Sequence, residues 1–512
     1  MLFNSYIFIL LFLPLCLAGY WICNVLRRYD WGKIWLVGMS LWFYGYFNIR
    51  YLPLIVLSVF GNYYLYRLLV QKSSGGTGND GQTITDRQSA NGQTVADRRH
   101  GRKLILAAGV SANLGVLFYY KYFDFFVENV NAAFHMDLAL QHVLLPLGIS
   151  FFTFQQVGFL VDAYRGEVEE CGFLEYSLFV TFFPQLIAGP IVTHSEMIPQ
   201  FRDLSKKRFD ADNMAKGCYA FVCGLAKKVL VADIFGKAVA WGFGNLEQMN
   251  GLATLWMMLS YMVQLYFDFS GYCDMARGIG LMFNIDIPLN FNSPYKAVNL
   301  VDFWKRWHIT LNRFFTQYVY IPLGGNRKGV VRTYFNIFMI YLVSGIWHGA
   351  GWTFILWGAM HGVVYVLTRR FLTSVEKLPK VLTWFGNMVF FLLSLVFFRA
   401  ESVPQALTIL RGIFTGGYAL SAVPTAFVEQ FKTPEFFYCL KTIGIDGATT
   451  APRLLMAGYM AAAWFMLLGC KNVNEKLRTF RPTFLKAMAV AVLFLWSLVS
   501  FSEVSTFLYF NF

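Results

Sequence analysis

The chain has 512 residues, of which 57% are hydrophobic and only 14% are charged. An average soluble domain carries about 25% charged residues, so this composition excludes a soluble globular protein. The formal net charge is +14, but Lys and Arg cluster in short connections without interleaved base-stacking residues. That pattern excludes nucleic-acid binding and indicates cytoplasmic loops next to anionic lipid. The eight scattered cysteines form no C-x-x-C pair and no zinc spacing with histidine, so neither a metal site nor a disulfide framework is predicted.

Apolar segments recur along the whole chain. A window of about 20 apolar residues spans the ~30 Å hydrocarbon core of a bilayer, whereas shorter or interrupted segments do not all cross it. The first segment has no basic region before it and is expected to be an uncleaved helix. We predict an all-α polytopic membrane protein embedded in the lipid bilayer, with apolar segments at approximately 4–26, 34–49, 51–70, 104–120, 142–161, 173–190, 215–236, 251–272, 333–347, 350–368, 381–398, 454–470 and 486–511.

The distribution of basic residues predicts the orientation. Arg27, Arg28 and Lys33 mark one connection, and the basic residues between Lys72 and Lys103 mark the second connection after it. Because cytoplasmic loops carry an excess of Lys and Arg, both connections are expected to be cytoplasmic, with the N-terminus extracytoplasmic.

One polar stretch, Lys72 to His100, is rich in Gly, Ser, Thr, Asn, Gln and Asp and contains a short tandem repeat. Such a composition cannot bury enough apolar surface to fold, so a disordered cytoplasmic loop is predicted. Five regions follow from these patterns: N-terminal transmembrane helices at 1–70, the polar loop at 71–103, a core at 104–400, an amphipathic or extramembrane connection at 401–453, and C-terminal transmembrane helices at 454–512.

Two segments are predicted to lie at the membrane without crossing it as regular helices. The stretch from Phe182 to Ile191 contains Pro184 and Pro190 and is predicted to be re-entrant, since irregular backbone at that depth must be enclosed by protein or face a cavity. From about Phe303 to Tyr318, apolar residues recur at helical spacing with basic residues on the other side. This second pattern predicts an amphipathic helix at the membrane surface.

Seven histidines are present, and imidazole is the side chain best suited to proton transfer near neutral pH. His348 lies at the break between two apolar runs, in the sequence SGIWHGAGW, where small residues leave room beside Trp347 and the ring. His308 lies on the apolar side of the predicted amphipathic helix, and His361 lies in the next apolar run as a structural or supporting residue. The remaining four, in polar loops or at the ends of apolar segments, are expected to be structural: His100, His135, His142 and His194.

Asp268 and Asp274 lie six positions apart near the end of an apolar segment. Carboxylates in a membrane are costly and usually paired, so these two are candidates to bind Arg277, to orient a histidine, or to line a proton or cation path. The chain has no phosphate-binding P-loop, no dinucleotide-binding glycine motif, no H-E-x-x-H and no G-x-S-x-G, so a covalent serine route has no motif support.

Several long motifs in order give a specific resemblance to the membrane-bound O-acyltransferase family, in the bacterial branch that O-acetylates alginate. It extends over nearly the whole chain except the polar loop and about 420–451. The motifs are QLIAGPI at 185–191, YFDFSGY at 266–272, DFWKRWH at 302–308, YIPLGGNRKG at 320–329 and WHG at 347–349.

The resemblance implies a multi-pass protein of the bacterial inner membrane, with a core of tilted helices around a tunnel or funnel. It also implies His348 as the essential histidine and His308 at the second motif position. Asp268, Asp274, Trp347 and His361 are then candidates for supporting or substrate-path roles. No permanently bound cofactor is implied; the donor is acetyl-CoA or another acyl-thioester on the cytoplasmic side. An extracytoplasmic SGNH-type partner is implied, with an exopolysaccharide or peptidoglycan as the final acceptor. D-alanyl transfer from a carrier-protein thioester stays open, as does a proton- or ion-coupled transporter.

Overall fold

The computed structural model describes residues 1–74, 95–445, 447, 450–501 and 507–508, and it confirms the all-α prediction: no β-strand occurs in this part of the chain. Six helical stretches are long and apolar enough to cross a bilayer. They are Phe8–Val25, Ile49–Gln71, Arg99–Phe134, Val330–His348, Lys380–Arg399 and Thr450–Leu468, and a shorter apolar helix covers Phe484–Val499.

The described chain divides into two compact units. The first consists of Met1, Leu10–Asp210 and Phe283–Ile287, and the second of Leu2–Ile9, Ala211–Met282 and Pro288–Phe512. These boundaries differ from the five regions inferred from the sequence, because the region 104–400 is shared between both units.

Nine α-helices lie in the first unit, outside its undescribed residues 75–94. They are α1 Leu13–Val25, α2 Tyr29–Gly45, α3 Leu52–Ser74, α4 Val95–Leu117, α5 Phe123–Phe134, α6 Ile149–Arg165, α7 Phe173–Thr181, α8 Phe183–Leu186 and α9 His194–Arg202. The predicted disordered loop at 71–103 is wrong at its edges, because α3 continues to Ser74 and α4 begins at Val95. The rest of that prediction, at 75–94, lies outside the described residues.

The segment predicted to be re-entrant is interrupted and enclosed by protein. The backbone leaves the helix at Phe182, the four-residue helix α8 carries Pro184 at its start, and the chain then runs irregularly to α9. Phe182, Pro190 and the residues between them are buried, as irregular backbone at membrane depth requires. The close approach is visible at Gly148, where an added Cβ would lie 2.7 Å from the Leu186 carbonyl oxygen.

The second unit holds the candidate site and contains fifteen α-helices within its described residues. They are α10 Ala211–Ala226, α11 Asp233–Gly244, α12 Gly251–Met282, α13 Leu300–Trp304, α14 Ile309–Phe315, α15 Val330–His348, α16 Trp352–Arg370, α17 Leu372–Val375, α18 Lys380–Arg399, α19 Val403–Thr415, α20 Thr425–Glu429, α21 Pro434–Thr442, α22 Thr450–Leu468, α23 Val473–Arg478 and α24 Phe484–Val499.

Glycines allow the backbones of α10 and α12 to touch. A Cβ on Gly217 would lie 2.7 Å from the Gly278 carbonyl oxygen, and one on Gly224 would lie 2.5 Å from that of Gly271. Beyond α10 the helix continues as a π-helical turn, Lys227–Ala232, into α11. Such a turn inserts an extra residue and is frequent at functional sites. Here it places two consecutive lysines opposite the carboxylates of α12.

The single amphipathic helix predicted from Phe303 to Tyr318 is wrong. The chain forms α13, breaks at 305–308 and starts again as α14, which runs into a π-helical turn, Thr316–Tyr320. Asn299 caps α13, because its side chain accepts a hydrogen bond from the Asp302 N–H at 2.8 Å. The break puts His308 at the N-cap of α14 rather than on a helix face.

Candidate active site

A tight helical hairpin made by α15 and α16 holds His348. A Cβ on Gly345 would lie 2.4 Å from the Phe354 carbonyl oxygen, and one on Gly358 would lie 2.5 Å from that of Tyr341. Only glycine permits this backbone approach, which agrees with the expectation that small residues surround His348. The histidine is the last residue of α15, and the turn to α16 follows directly.

Aromatic rings enclose the imidazole of His348. Ring centroids lie 4.8 Å away for Trp347, 5.3 Å for Trp357 and 5.2 Å for Phe398. The side chains come from α15, α16 and α18, so three helices fix the position of one ring. His348 is 4% exposed, whereas His308 and His361 are 0% exposed. Among the three histidines, His348 is therefore the one that retains some access from outside the packed core.

His308 occupies a left-handed backbone conformation with φ 46° and ψ 53°. This region is uncommon for residues other than glycine, and non-glycine residues held there concentrate at functional sites. Asn290 holds the turn in place: its carbonyl oxygen accepts from the Ile309 N–H at 2.9 Å, and its side-chain oxygen accepts from the Thr310 hydroxyl at 2.9 Å.

The same amide fixes the tautomer of His308. Its Nδ1 lies 3.1 Å from the Asn290 Oδ1, an atom that already accepts from the Thr310 N–H and can only accept. Nδ1 must therefore donate, which leaves Nε2 as the nitrogen with the lone pair. His308 lies between α13 and α14, outside the six candidate membrane spans, and burial lowers its pKa to about 3. The side chain is thus neutral at physiological pH.

A hydrogen bond between two helices holds the side chain of His361 in place. Its Nε2 lies 3.0 Å from the Ser394 hydroxyl, which donates to the Phe391 carbonyl oxygen at 2.8 Å. Since that hydroxyl has used its hydrogen, Nε2 of His361 donates to it. This hydrogen bond ties α16 to α18 and is consistent with the supporting role suggested by the sequence.

The three histidines belong to one aromatic cluster, which also contains Trp347 and Trp357. The Trp347 ring is 6.1 Å from that of His308 and 4.8 Å from that of His348, so one indole contacts both imidazoles. Trp357 likewise contacts His348 and lies 4.5 Å from His361. The structure therefore brings together residues that are up to 53 positions apart in the sequence.

Asp268 and Asp274 form a separate charged cluster with lysines of the π-helical turn. Lys227 Nζ lies 2.6 Å from the Asp274 Oδ2, and Lys228 Nζ lies 2.6 Å from the Asp268 Oδ1. Lys228 also contacts Asp233 at 2.8 Å. The prediction of Arg277 or a histidine as partners of these aspartates did not include the two lysines.

Some of the residues that the sequence predictions missed could have been recognised from the sequence, and others could not. Lys227 and Lys228 interrupt an apolar segment, and ionisable residues at membrane depth are functional or paired by default. Asn290 carried no such signal, because an asparagine between apolar residues is an ordinary loop residue until its partners are known. His194, expected to be structural, is buried and lies 3.2 Å from Asp162 in the first unit.

The fold and this cluster define a helical membrane protein with a buried histidine centre and a second buried cluster of paired charges. Residues 6–404 match the model of the membrane-bound O-acyltransferase family. The chain therefore belongs to the membrane-bound O-acyltransferases, and it is an enzyme that transfers acyl groups to oxygen rather than a transporter.

Similar proteins agree with this assignment. The chain is 38% identical over 549 residues to the peptidoglycan O-acetyltransferase of Helicobacter pylori, with 100% of this chain and 98% of the relative covered. It is 34% identical to a probable alginate O-acetylase, AlgI, of Azotobacter vinelandii, covering 87% of this chain and 85% of the relative. A teichoic acid D-alanyltransferase of Streptococcus thermophilus is 28% identical, covering 47% and 60%.

Proposed function

We propose that this enzyme takes an acetyl group from cytoplasmic acetyl-CoA and passes it across the membrane for O-acetylation of a cell-surface glycan, with His348 as general base. The observation that carries the proposal is the position of His348: an imidazole enclosed by three aromatic rings, at a helical hairpin turn, with residual exposure. A site from which water is largely excluded favours acyl transfer to an alcohol over hydrolysis.

The reaction needs one proton acceptor. A neutral His348 takes the proton of the acceptor hydroxyl as that oxygen attacks the thioester carbonyl. The C–S bond then breaks, and the imidazolium returns the proton to the leaving thiolate, giving an ester and a free thiol. General-base assistance of this kind contributes roughly 10²–10⁴ in rate.

His308 acts as a positioning residue in this proposal. Its Nδ1–H is used on Asn290, and its ring contacts Trp347, which in turn packs against His348. The strained turn therefore sets the position of the indole and, through it, of the base. Positional errors of about 1 Å can cost about 10²-fold in rate, so this indirect role is sufficient to make His308 important.

Peptidoglycan is the favoured acceptor, because the relative with that name matches this chain along its whole length, including the region beyond residue 404. In this proposal an extracytoplasmic SGNH-type esterase-like partner receives the acetyl group and delivers it to the glycan. D-alanyl transfer is the second candidate, supported by a relative that matches about half of the chain.

Reconstitution with defined donors tests the proposal. Proteoliposomes containing the purified enzyme receive radiolabelled acetyl-CoA or a D-alanyl carrier-protein thioester outside, and the partner with glycan fragments inside. We expect label from acetyl-CoA on the glycan with wild-type enzyme and none with His348→Ala. Label from the carrier-protein thioester alone would overturn the acetyl assignment and favour the second candidate.

The orientation is tested separately by cysteine labelling. We expect a cysteine introduced at Gly81 to be inaccessible to an impermeant reagent in intact cells, because the basic connections around it are proposed to be cytoplasmic. A matched cysteine at Asp137, in the connection after α5, should react. The opposite labelling pattern would invert the proposed topology.

A further inference from the structure

A large cavity lies in the second unit, away from the histidine cluster. Its volume is about 1220 Å³, above the range of roughly 300–1,000 Å³ that is typical for small-molecule sites. The described residues that line it come from the α10–α12 region and from the C-terminal part around α22–α24, and they include none of the three clustered histidines. Most of the C-terminal wall lies beyond residue 404, where the family match ends.

The lining is basic. Seven Lys and Arg side chains and three carboxylates face the cavity. Lys227 and Lys228 are compensated by the aspartates described above. The exposed lysines Lys237, Lys432, Lys471 and Lys476 form no ion pair with another described residue, so the cavity carries uncompensated positive charge.

The lysines of the cavity lie at two positions along the axis of α22, which are called the Lys432 level and the Lys471 level. Thr433, next to Lys432, hydrogen-bonds the hydroxyl of Tyr459 in the middle of α22. Lys471 follows the end of that helix at Leu468, which is roughly 14 Å further along the axis at 1.5 Å per residue. Both carboxylates that have no lysine partner, Glu429 and Glu435, lie at the Lys432 level. The end with Lys471 and Lys476 is therefore the more favourable place for an anion.

Apolar side chains of α22 and α24 also line the cavity. Ala462, Met466 and Leu467 of α22, together with Leu493 and Trp496 of α24, line the cavity. Both helices are apolar over their length, and α22 is a candidate membrane span. A hydrocarbon chain that lies along these two helices would therefore meet an apolar lining.

We propose that this cavity binds an anionic phospholipid, with its phosphate between Lys471 and Lys476 and its acyl chain along α22 and α24. The head-group end carries Lys471, Lys476, Arg478 and Arg481 within one short connection, which is the pattern of a cytoplasmic loop. The ligand is then a lipid of the inner leaflet, which is the leaflet that attracts basic protein segments. This site is distinct from the acyl-transfer site and does not depend on the donor proposed above.

Lipid retention by the full-length protein tests the site. The enzyme is purified in detergent, exposed to phosphatidylglycerol or phosphatidylcholine with identical chains, and examined by native mass spectrometry. We expect wild-type protein to retain one phosphatidylglycerol at least about tenfold better than phosphatidylcholine, since the lysines attract an anionic head group. Lys471→Gln with Lys476→Gln should weaken retention about thirtyfold, which corresponds to about 1 kcal/mol for each lysine.

Two double variants with the same change in charge serve as controls. Lys237→Gln with Lys432→Gln removes two charges close to the ring contact of Phe235 with Phe431, at the Lys432 end of the cavity. Lys377→Gln with Lys380→Gln removes two charges outside it. Both should retain phosphatidylglycerol like wild type. Ala462→Trp keeps all lysines but fills the apolar part, and we expect it to lower retention while its elution profile stays monodisperse.

Several outcomes would overturn the proposal. Equal retention of the two lipids, or equal loss in all three double variants, would exclude a specific head-group site. Competition by inorganic phosphate at the same concentration as the lipid would show that the acyl chain contributes nothing. Preferential retention of a polyprenyl phosphate over phosphatidylglycerol would replace a bilayer phospholipid by a carrier lipid as the occupant.

Discussion

Two clusters of polar side chains in the second unit are stabilised in different ways, one by aromatic packing and the other by ion pairs. The cluster of His308, His348 and His361 lies among indole and phenyl rings. The cluster of Lys227 and Lys228 with the aspartates of α12 is ionic, with contacts of 2.6 Å. Both are enclosed by protein, yet one is built from imidazoles, which can be buried in the neutral form, and the other from opposite charges held in pairs.

This difference indicates that the histidine cluster serves catalysis and the ionic cluster serves stability. An imidazole can be buried without charge, so it is free to gain and lose a proton during a reaction. A buried ammonium or carboxylate can be tolerated only with its partner in place, and using it in a reaction would leave the partner uncompensated. We therefore expect histidine substitutions to affect catalysis first, and substitutions in the ionic cluster to affect stability first.

The largest expected effect is on catalysis, at His348. Replacement by Ala or Gln removes the only group in the proposed mechanism that accepts and returns a proton, so acetyl transfer should fall by at least about 10²-fold. The measurement is transfer of label from acetyl-CoA in proteoliposomes, normalised to monodisperse protein. His135→Asn, at an exposed left-handed position that asparagine tolerates, is the matched control and should retain full activity. A folded His348→Ala enzyme with more than about a tenth of wild-type activity would remove the general-base assignment.

The next effect is on stability, at Lys228. Lys228→Met leaves Asp268 buried without its cation, which should cost about 3–5 kcal/mol in the free energy of unfolding. Thermal unfolding in detergent measures the loss, and the exposed Lys237→Met is the control. Adding Asp268→Leu to Lys228→Met should recover part of the stability, because both buried charges are then gone. A double variant less stable than the single one would contradict a mainly ionic role.

His308 should affect both properties, more weakly. Asparagine accepts the left-handed conformation, whereas alanine there costs roughly 1–2 kcal/mol, so His308→Ala should lose more activity than His308→Asn. We expect His308→Ala to lower the rate by about 10-fold to 10²-fold through misplacement of Trp347. Equal rates for the two variants would argue against a role of the backbone strain.

The buried His308 also predicts a pH dependence of stability. Its folded-state pKa of about 3 lies below the ordinary value of 6.5, so the unfolded chain binds a proton first as the pH falls. The stability that this residue supports is complete above about pH 6.5 and declines towards pH 3, by about 1.4 kcal/mol per pH unit. Unfolding midpoints from pH 7 to 4.5 should show a shallower slope in His308→Asn than in wild type. Identical slopes would mean that His308 is not buried in the neutral form.

The smallest effect is expected at His361. Asparagine is shorter than histidine, so His361→Asn should lose the hydrogen bond from α16 to Ser394, at a cost of about 1 kcal/mol in the free energy of unfolding. Activity per folded molecule should stay within about fivefold of wild type, because the ring has no assigned part in proton transfer. Ser394→Ala should lower the unfolding midpoint similarly. A loss of transfer as large as that of His348→Ala would place His361 in the chemistry.

His348 and His308 show how much of the candidate active site could be predicted from the sequence. The position of His348 at a break between apolar runs was visible because glycine and small residues flank it, and the hairpin confirms that they allow close packing. His308 was placed on a continuous helix, since the apolar spacing from Phe303 to Tyr318 persists across the break. The spacing of apolar residues cannot reveal that one residue adopts the left-handed conformation. At His308 that conformation is held by the hydrogen bonds with Asn290.

The amino-acid sequence by itself determined the class of this protein: a helical membrane chain, its apolar segments, the family motifs and the histidine at a helix end. These properties depend on composition and local order, which bilayer thickness and backbone hydrogen bonding translate directly into helices. Only the tertiary structure decided which groups meet. The contact of Trp347 with two histidines, the clamp by Asn290 and the lysine partners of Asp268 and Asp274 join distant segments, and the energies that select them arise from burial and pairing rather than from local preference.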